Sequence, residues 1–167
     1  MSARSPQLAL EQRPRSWIVR RATSEDVFGI VVAVQELLLE LGGTPPSART
    51  LEGVACELVE DRDSGAVLVA RSRGEVVGML AASWQLALHV PGRYALIQDL
   101  WVHSAWRSRS IGADLMTGLV ELARERGMAR IEVGLPRESF RGIQATEVFY
   151  RNNDFDLLGP RMRRLLT

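Results

Sequence analysis

The stretch from Asp99 to Gly112, DLWVHSAWRSRSIG, decides how this chain folds. An apolar strand of Leu100, Trp101 and Val102 enters a basic, Ser-rich turn from Ser104 to Ser110, and a helix starts at Ile111 or just before. Such a turn leaves backbone N–H groups unpaired at the helix N-terminus, where the helix dipole also favours negative charge. The turn therefore reads as an anion holder. Arg107 and Arg109 flank its amides, so the expected ligand carries more than one phosphate charge.

Downstream, apolar residues at Ile111, Leu115, Met116, Leu119, Val120, Leu122 and Ala123 mark the buried stripe of that helix, which stops at Gly127. Ala129 to Leu135 follows as a strand closed by Pro136, so strand, helix and strand imply a parallel crossover. Upstream, Ala66 to Ala70, Val76 to Leu88 (broken by Gly78) and Tyr94 to Val102 read as three antiparallel strands with short turns.

Before them, Trp17 to Arg21 has strand composition. Thr23 and Asp26 form a loose capping pair, and a first helix runs on from Val27 to Leu41. Ser47 caps a second helix through Val59. After Pro136, Arg137 to Ile143 reads as a loop beside the ligand cleft and Ala145 to Asn152 as a short helix. Phe155 to Leu158 and Met162 to Leu166 then read as a closing hairpin about Gly159-Pro160. Met1 to Ser16 has two prolines and no period, and is expected to be a flexible arm ahead of one domain over 17–167. The expected class is α/β: a mixed, mostly antiparallel sheet flanked by helices, with one parallel crossover.

Composition narrows the function. The chain has 167 residues, 21 basic and 20 acidic, and a net charge of +1. Neither nucleic acid nor a membrane surface is expected as a partner. The single cysteine, Cys56, excludes an internal disulfide and fits a reducing, cytoplasmic setting. No apolar run approaches the roughly 18 residues of a membrane span. His89 and His103 have no second His or Cys at ligand spacing, so no metal is expected.

From Trp17 to Leu166 the chain resembles the GCN5-related N-acetyltransferases in its order of elements. Arg107-Ser108-Arg109-Ser110-Ile111-Gly112-Ala113 is similar to that family's acyl-CoA loop, Arg/Gln-x-x-Gly-x-Gly/Ala. Leu100-Trp101-Val102 sits where the family's strand pairs with the pantetheine arm, and Thr146 to Phe155 resembles its late helix with an aromatic-Tyr pair. The resemblance implies the acyl-CoA N-acyltransferase fold and binding of acetyl-CoA as co-substrate through Leu100, Trp101, Val102 and the residues Arg107 to Ala113. It implies acetyl transfer to a primary amine; the lack of a strong charge bias favours a small molecule, with a peptide or protein amine as the alternative. It is also compatible with a homodimer through the late strands, and with a non-catalytic acyl-CoA-binding module.

Two residues depart from the family pattern. Ser110 and Asp154 stand where it has glycine, which allows positive φ. Serine serves at the first position if ordinary angles suffice, or it caps the helix with its hydroxyl. Cofactor binding is expected to survive, weakened.

An alkylamine with a pKa of about 10.4 arrives protonated and must lose a proton before it attacks the thioester. The thiolate that leaves benefits from a nearby acid. Tyr150 matches the tyrosine of the family's late helix and is the expected acid; on composition alone it also reads as a core residue beside Phe149. Glu132 aligns with a glutamate that some members use and is the first choice of base. Asp99 and Gln98, on the neighbouring strand, are the second.

Overall fold

The structure is a computed structural model and describes residues 16–90 and 92–166. Nearly all of the expected arm lies outside the described residues. In chain order the elements are β1 (Ile18–Arg21), α1 (Val27–Glu40), α2 (Ala48–Glu60), β2 (Gly65–Ser72), β3 (Glu75–Leu86), β4 (Arg93–Val102), α3 (Ile111–Glu125), β5 (Ile131–Val133) and α4 (Ile143–Arg151). The five strands form one sheet in the order β1-β2-β3-β4-β5, antiparallel throughout except for the parallel pair β4–β5.

Period-2 alternation divides the side chains of the strands between two apolar layers. Leu68, Leu80, Ala82, Trp84, Ala95 and Ile97 pack with Ile111, Leu115 and Leu119 of α3 and with Tyr150 of α4. Val67, Val69, Met79, Ala81 and Trp101 pack on the opposite face with Ile30, Val31 and Ala33 of α1 and Ala55 of α2. Gly78 does not break β3. A Cβ there would lie 2.7 Å from Ile111 Cγ2, so glycine is what lets the start of α3 settle on the strand.

Asp26 fastens the other end of the molecule. Its side chain is fully buried and takes Nη1 and Nη2 of Arg20 at 2.7 and 3.1 Å, Arg71 Nη1 at 2.8 Å and the Thr23 N–H at 2.8 Å. β1, β2 and the entry to α1 thus meet at one carboxylate. Burial by itself would raise its pKa, but the hydrogen bonds from Arg20 and Thr23 and the charges of Arg20 and Arg71 outweigh that and hold it below the ordinary value. The folded pKa lies below the unfolded one, so this stabilisation is complete above pH 3.8 and is lost as pH falls through the folded value. Asp26→Ala leaves two guanidinium groups facing an apolar layer. Removing one partner of a fully buried pair costs roughly 3–5 kcal/mol; the arginines here are partly solvated, so we expect about 2–3 kcal/mol in urea unfolding at pH 7, shrinking near pH 3.

Two sequence expectations need correction. The strand expected over Ala129–Leu135 has only three residues, because its partner β4 is paired only as far as Ile97. The closing hairpin is absent: residues 155–166 form no strand. A hairpin persists only when one face of it is buried. Here apolar residues fall side by side, at Leu157-Leu158 and Leu165-Leu166, so no single face collects them, and all four stay exposed. The tail reaches β5 through a side chain instead, with Arg161 against Gly134.

Candidate active site

The site begins with a register shift. Ala82 pairs with Ile97 and Ala81 with Asp99, which leaves Gln98 as an extra residue in β4. Such a bulge bends its strand and sharpens the local twist. The β4–β5 pairing ends at the same point, with Ile97 opposite Val133. Beyond it β4 runs on to Val102 with β3 on one side and, among the described residues, no paired strand on the other, which leaves a gap.

Main-chain direction follows from one bond. The His103 N–H donates to Val77 O on β3 at 3.0 Å, so by ladder alternation Trp101 also turns its main chain to β3, whereas Leu100 and Val102 turn theirs to the gap. Of the three strand residues expected to hold the cofactor, Leu100 therefore turns its N–H and C=O to the open edge and Val102 its N–H, the Val102 carbonyl already accepting from Arg107 Nε. Trp101 contributes its side chain to the layer under α1 and α2, where its Nε1 is buried without a partner.

At the end of this edge stands the Ser-rich turn. The first bond of α3 runs from the Asp114 N–H to Ser110 O, so the amides of Ile111, Gly112 and Ala113 precede the helical ladder and have no acceptor within it. Ser108 and Ser110 both have positive φ, 61° and 71°. Position 110 thus requires the left-handed conformation that glycine adopts freely, and the Ser110 side chain makes no capping bond. Its hydroxyl leaves those amides alone. A non-glycine residue pays about 1–2 kcal/mol in this region. Ser110→Gly is therefore expected to raise the stability by about 1 kcal/mol, read as a higher midpoint in urea, without weakening an anion bound at the turn.

The other motif residues divide their tasks. Gly112 faces α4: a Cβ there would meet the Phe149 ring at 3.0 Å. Arg109 lies over Trp106, 5.1 Å from the ring centroid. Arg107 donates through Nε to Val102 O at 2.9 Å and pairs through Nη2 with Glu40 at the end of α1. Glu40 thus anchors the turn to the end of α1. His103 Nδ1 accepts from the Ala105 N–H at 3.2 Å and caps the short turn before it. Among the described residues no group of three or more His, Cys, Asp or Glu side chains is placed to hold a metal.

Tyr150 and Asp99 belong to opposite faces of the sheet, close enough for the charge of Asp99 to act on the phenol. Tyr150 belongs to the α3–α4 layer, between the rings of Phe149 at 5.2 Å and Phe155 at 5.3 Å. Asp154 makes that arrangement: its positive φ of 65° ends α4 and lets the Phe155 N–H return to Tyr150 O. Asp99 is two residues from Trp101 and shares its face. Burial, and after it the Asp99 carboxylate, push the Tyr150 phenol up to about 12. Burial also raises the Asp99 carboxyl above the usual aspartate value.

Glu132 lies where the strands are still paired, opposite Leu96, with its Oε1 2.9 Å from Arg130 Nη2. A groove of about 950 Å³ runs past it and Tyr150, between β5, α4 and the tail. No residue type marks the bulge at Gln98 directly; a polar pair, Gln98-Asp99, inside an otherwise apolar strand was the one available signal.

A family model described as the acetyltransferase (GNAT) family matches residues 11–141. No curated protein matches the chain. Among solved structures, a transcriptional regulator from Bacillus halodurans C-125 superimposes with a TM-score of 0.77 at 23% identity, over 90% of this chain and 99% of that one. An aminoglycoside acetyltransferase from an uncultured soil metagenomic sample gives 0.73 at 21% identity, over 92% and 100%. A ribosomal-protein-alanine N-acetyltransferase from Brucella melitensis biovar Abortus 2308 gives 0.71 at 17% identity, over 91% and 100%. At these identities the likeness speaks for the fold.

Proposed function

Since this chain belongs to the acetyltransferase (GNAT) family, we propose that it moves the acetyl group of acetyl-CoA directly to a primary amine of a small molecule, in the cytoplasm. One observation supports this reading above the rest: an open strand edge that runs from the bulge at Gln98 to the free amides ahead of α3. The diphosphate sits on the amides of Ile111 to Ala113, at the turn shaped by the positive φ of Ser108 and Ser110. The pantetheine arm adds to the edge at Leu100 and Val102 as an extra strand would. Its thioester is thereby carried into the gap between Asp99 and Tyr150.

There the charges suit the reaction. Asp99 takes a proton from the incoming ammonium, and a carboxyl raised by burial is a better base than an ordinary aspartate. The nitrogen lone pair then forms the C–N bond with the thioester carbonyl. On collapse the C–S bond breaks with its electron pair on sulfur, and the second proton of the nitrogen passes, directly or through water, to that thiolate, while Asp99 returns the first to solvent. Tyr150 stays protonated throughout the neutral range.

Full transfer of its proton to a thiolate of pKa about 8.5 is uphill by about 5 kcal/mol, so the phenol acts mainly by hydrogen bonding to the developing charge. Glu132 is the weaker candidate for base, because Arg130 already pairs with it. Cys56 lies on α2, which agrees with transfer that needs no covalent intermediate.

The reading is checked by following thiol release from acetyl-CoA over a panel of amines, amino sugars and peptides. Turnover with small amines above that with peptide N-termini agrees with it. Cofactor binding with no turnover on any member would favour a binding module instead.

A further inference from the structure

The face of the sheet that carries α1 and α2 is apolar beneath those helices and polar beyond them. Ala82 and Trp84 pack toward α3, so alternation turns Ser83 and Gln85 of β3 to this other face. Ser83 Oγ accepts from Gln85 Nε2 and from Gln98 Nε2, each at 2.8 Å. One hydroxyl thus fixes both amides and, among the described residues, leaves the Oε1 of each as an open acceptor. Gln98 is the bulge residue beside Asp99, so these acceptors adjoin the point where the reacting amine must lie. Arg130, on the same face, is matched by Glu132 at 2.9 Å and does not stand as an unpaired charge against an incoming ammonium.

Resting on the acetyl-transfer reading above, we propose that Gln85, Ser83 and Gln98 form a substrate subsite that accepts hydrogen bonds from a second polar group of the acceptor. The acceptor is then an amine that carries further ammonium or hydroxyl groups, as an amino sugar or a short diamine does, rather than a plain alkylamine. Neutral amide oxygens hold such donors without a buried charge of their own. A hydrocarbon chain in the same place leaves them unpaired, and that asymmetry produces the preference.

Calorimetry on the full chain loaded with CoA tests this without turnover. Glucosamine, 1,4-diaminobutane and butylamine are titrated in turn. The better of the two donor-rich ligands is expected to bind at least about tenfold more tightly than butylamine, and its identity tells hydroxyl from ammonium recognition. Gln85→Leu with Gln98→Leu should erase that advantage while CoA affinity stays the same, which certifies the fold. Gln98→Glu should instead tighten the diamine.

Equal binding of all three ligands, or a preference that survives the double substitution, overturns the subsite. Thiol release measured on the same amines keeps the two readings apart. Turnover without preference removes the subsite and leaves acetyl transfer standing; preference in binding without turnover does the reverse.

Discussion

Asp99→Asn is expected to lower kcat/KM by about 10²- to 10⁴-fold, the usual worth of a positioned general base. The substitution is nearly isosteric and the side chain makes no ion pair among the described residues, so the fold and the affinity for acetyl-CoA should change little. The pH profile makes the result specific. Burial raises the Asp99 carboxyl, so the wild-type rate should begin to rise at a pH above the ordinary aspartate range, as the carboxylate forms. In Asp99→Asn that limb should vanish and leave only the slow rise that follows free amine. Glu132→Gln should keep the limb. If it is Glu132→Gln that loses the limb, the base has been misassigned and the side chain opposite Leu96 does the work after all.

Tyr150→Phe should reduce kcat by about 10²- to 10³-fold, the cost of removing one donor aimed at developing charge in a site of this kind. The ring remains between Phe149 and Phe155, so packing is kept and the affinity for acetyl-CoA should stay within about twofold. Steady-state kinetics with calorimetry separate the two quantities. No alkaline limb from Tyr150 is expected below about pH 11, because the phenol is held at about 12. A kcat near wild type in Tyr150→Phe would reduce the residue to the core tyrosine that its neighbours also suggest.

The parts of this molecule legible in the sequence were those fixed by local patterns. Apolar residues at helical spacing located α1, α2 and α3, and Ser47 caps α2 through the Thr50 N–H as its position suggested. The strand, turn and helix from Asp99 to Gly112 stand where the motif put them. Long-range choices were less visible. The bulge at Gln98 depends on how two strands share a bend, and nothing in the residue types forces it. The ion pair of Arg107 was hidden because its partner, Glu40, is 67 residues away in the chain. Sequence alone offered Ser110 ordinary angles or a capping role; the geometry of the turn left it neither. The tail failed as a hairpin because composition alone promised strands, whereas paired leucines on alternate faces gave no surface to bury.

Amide hydrogen exchange, followed residue by residue with and without CoA, tests the central claim most directly. The N–H groups of Leu100, Val102, Ile111, Gly112 and Ala113 should slow on addition of CoA, while the Trp101 amide, already bonded to β3, changes little. CoA that binds yet protects none of these amides, or protects only the groove between β5 and α4, would contradict the account.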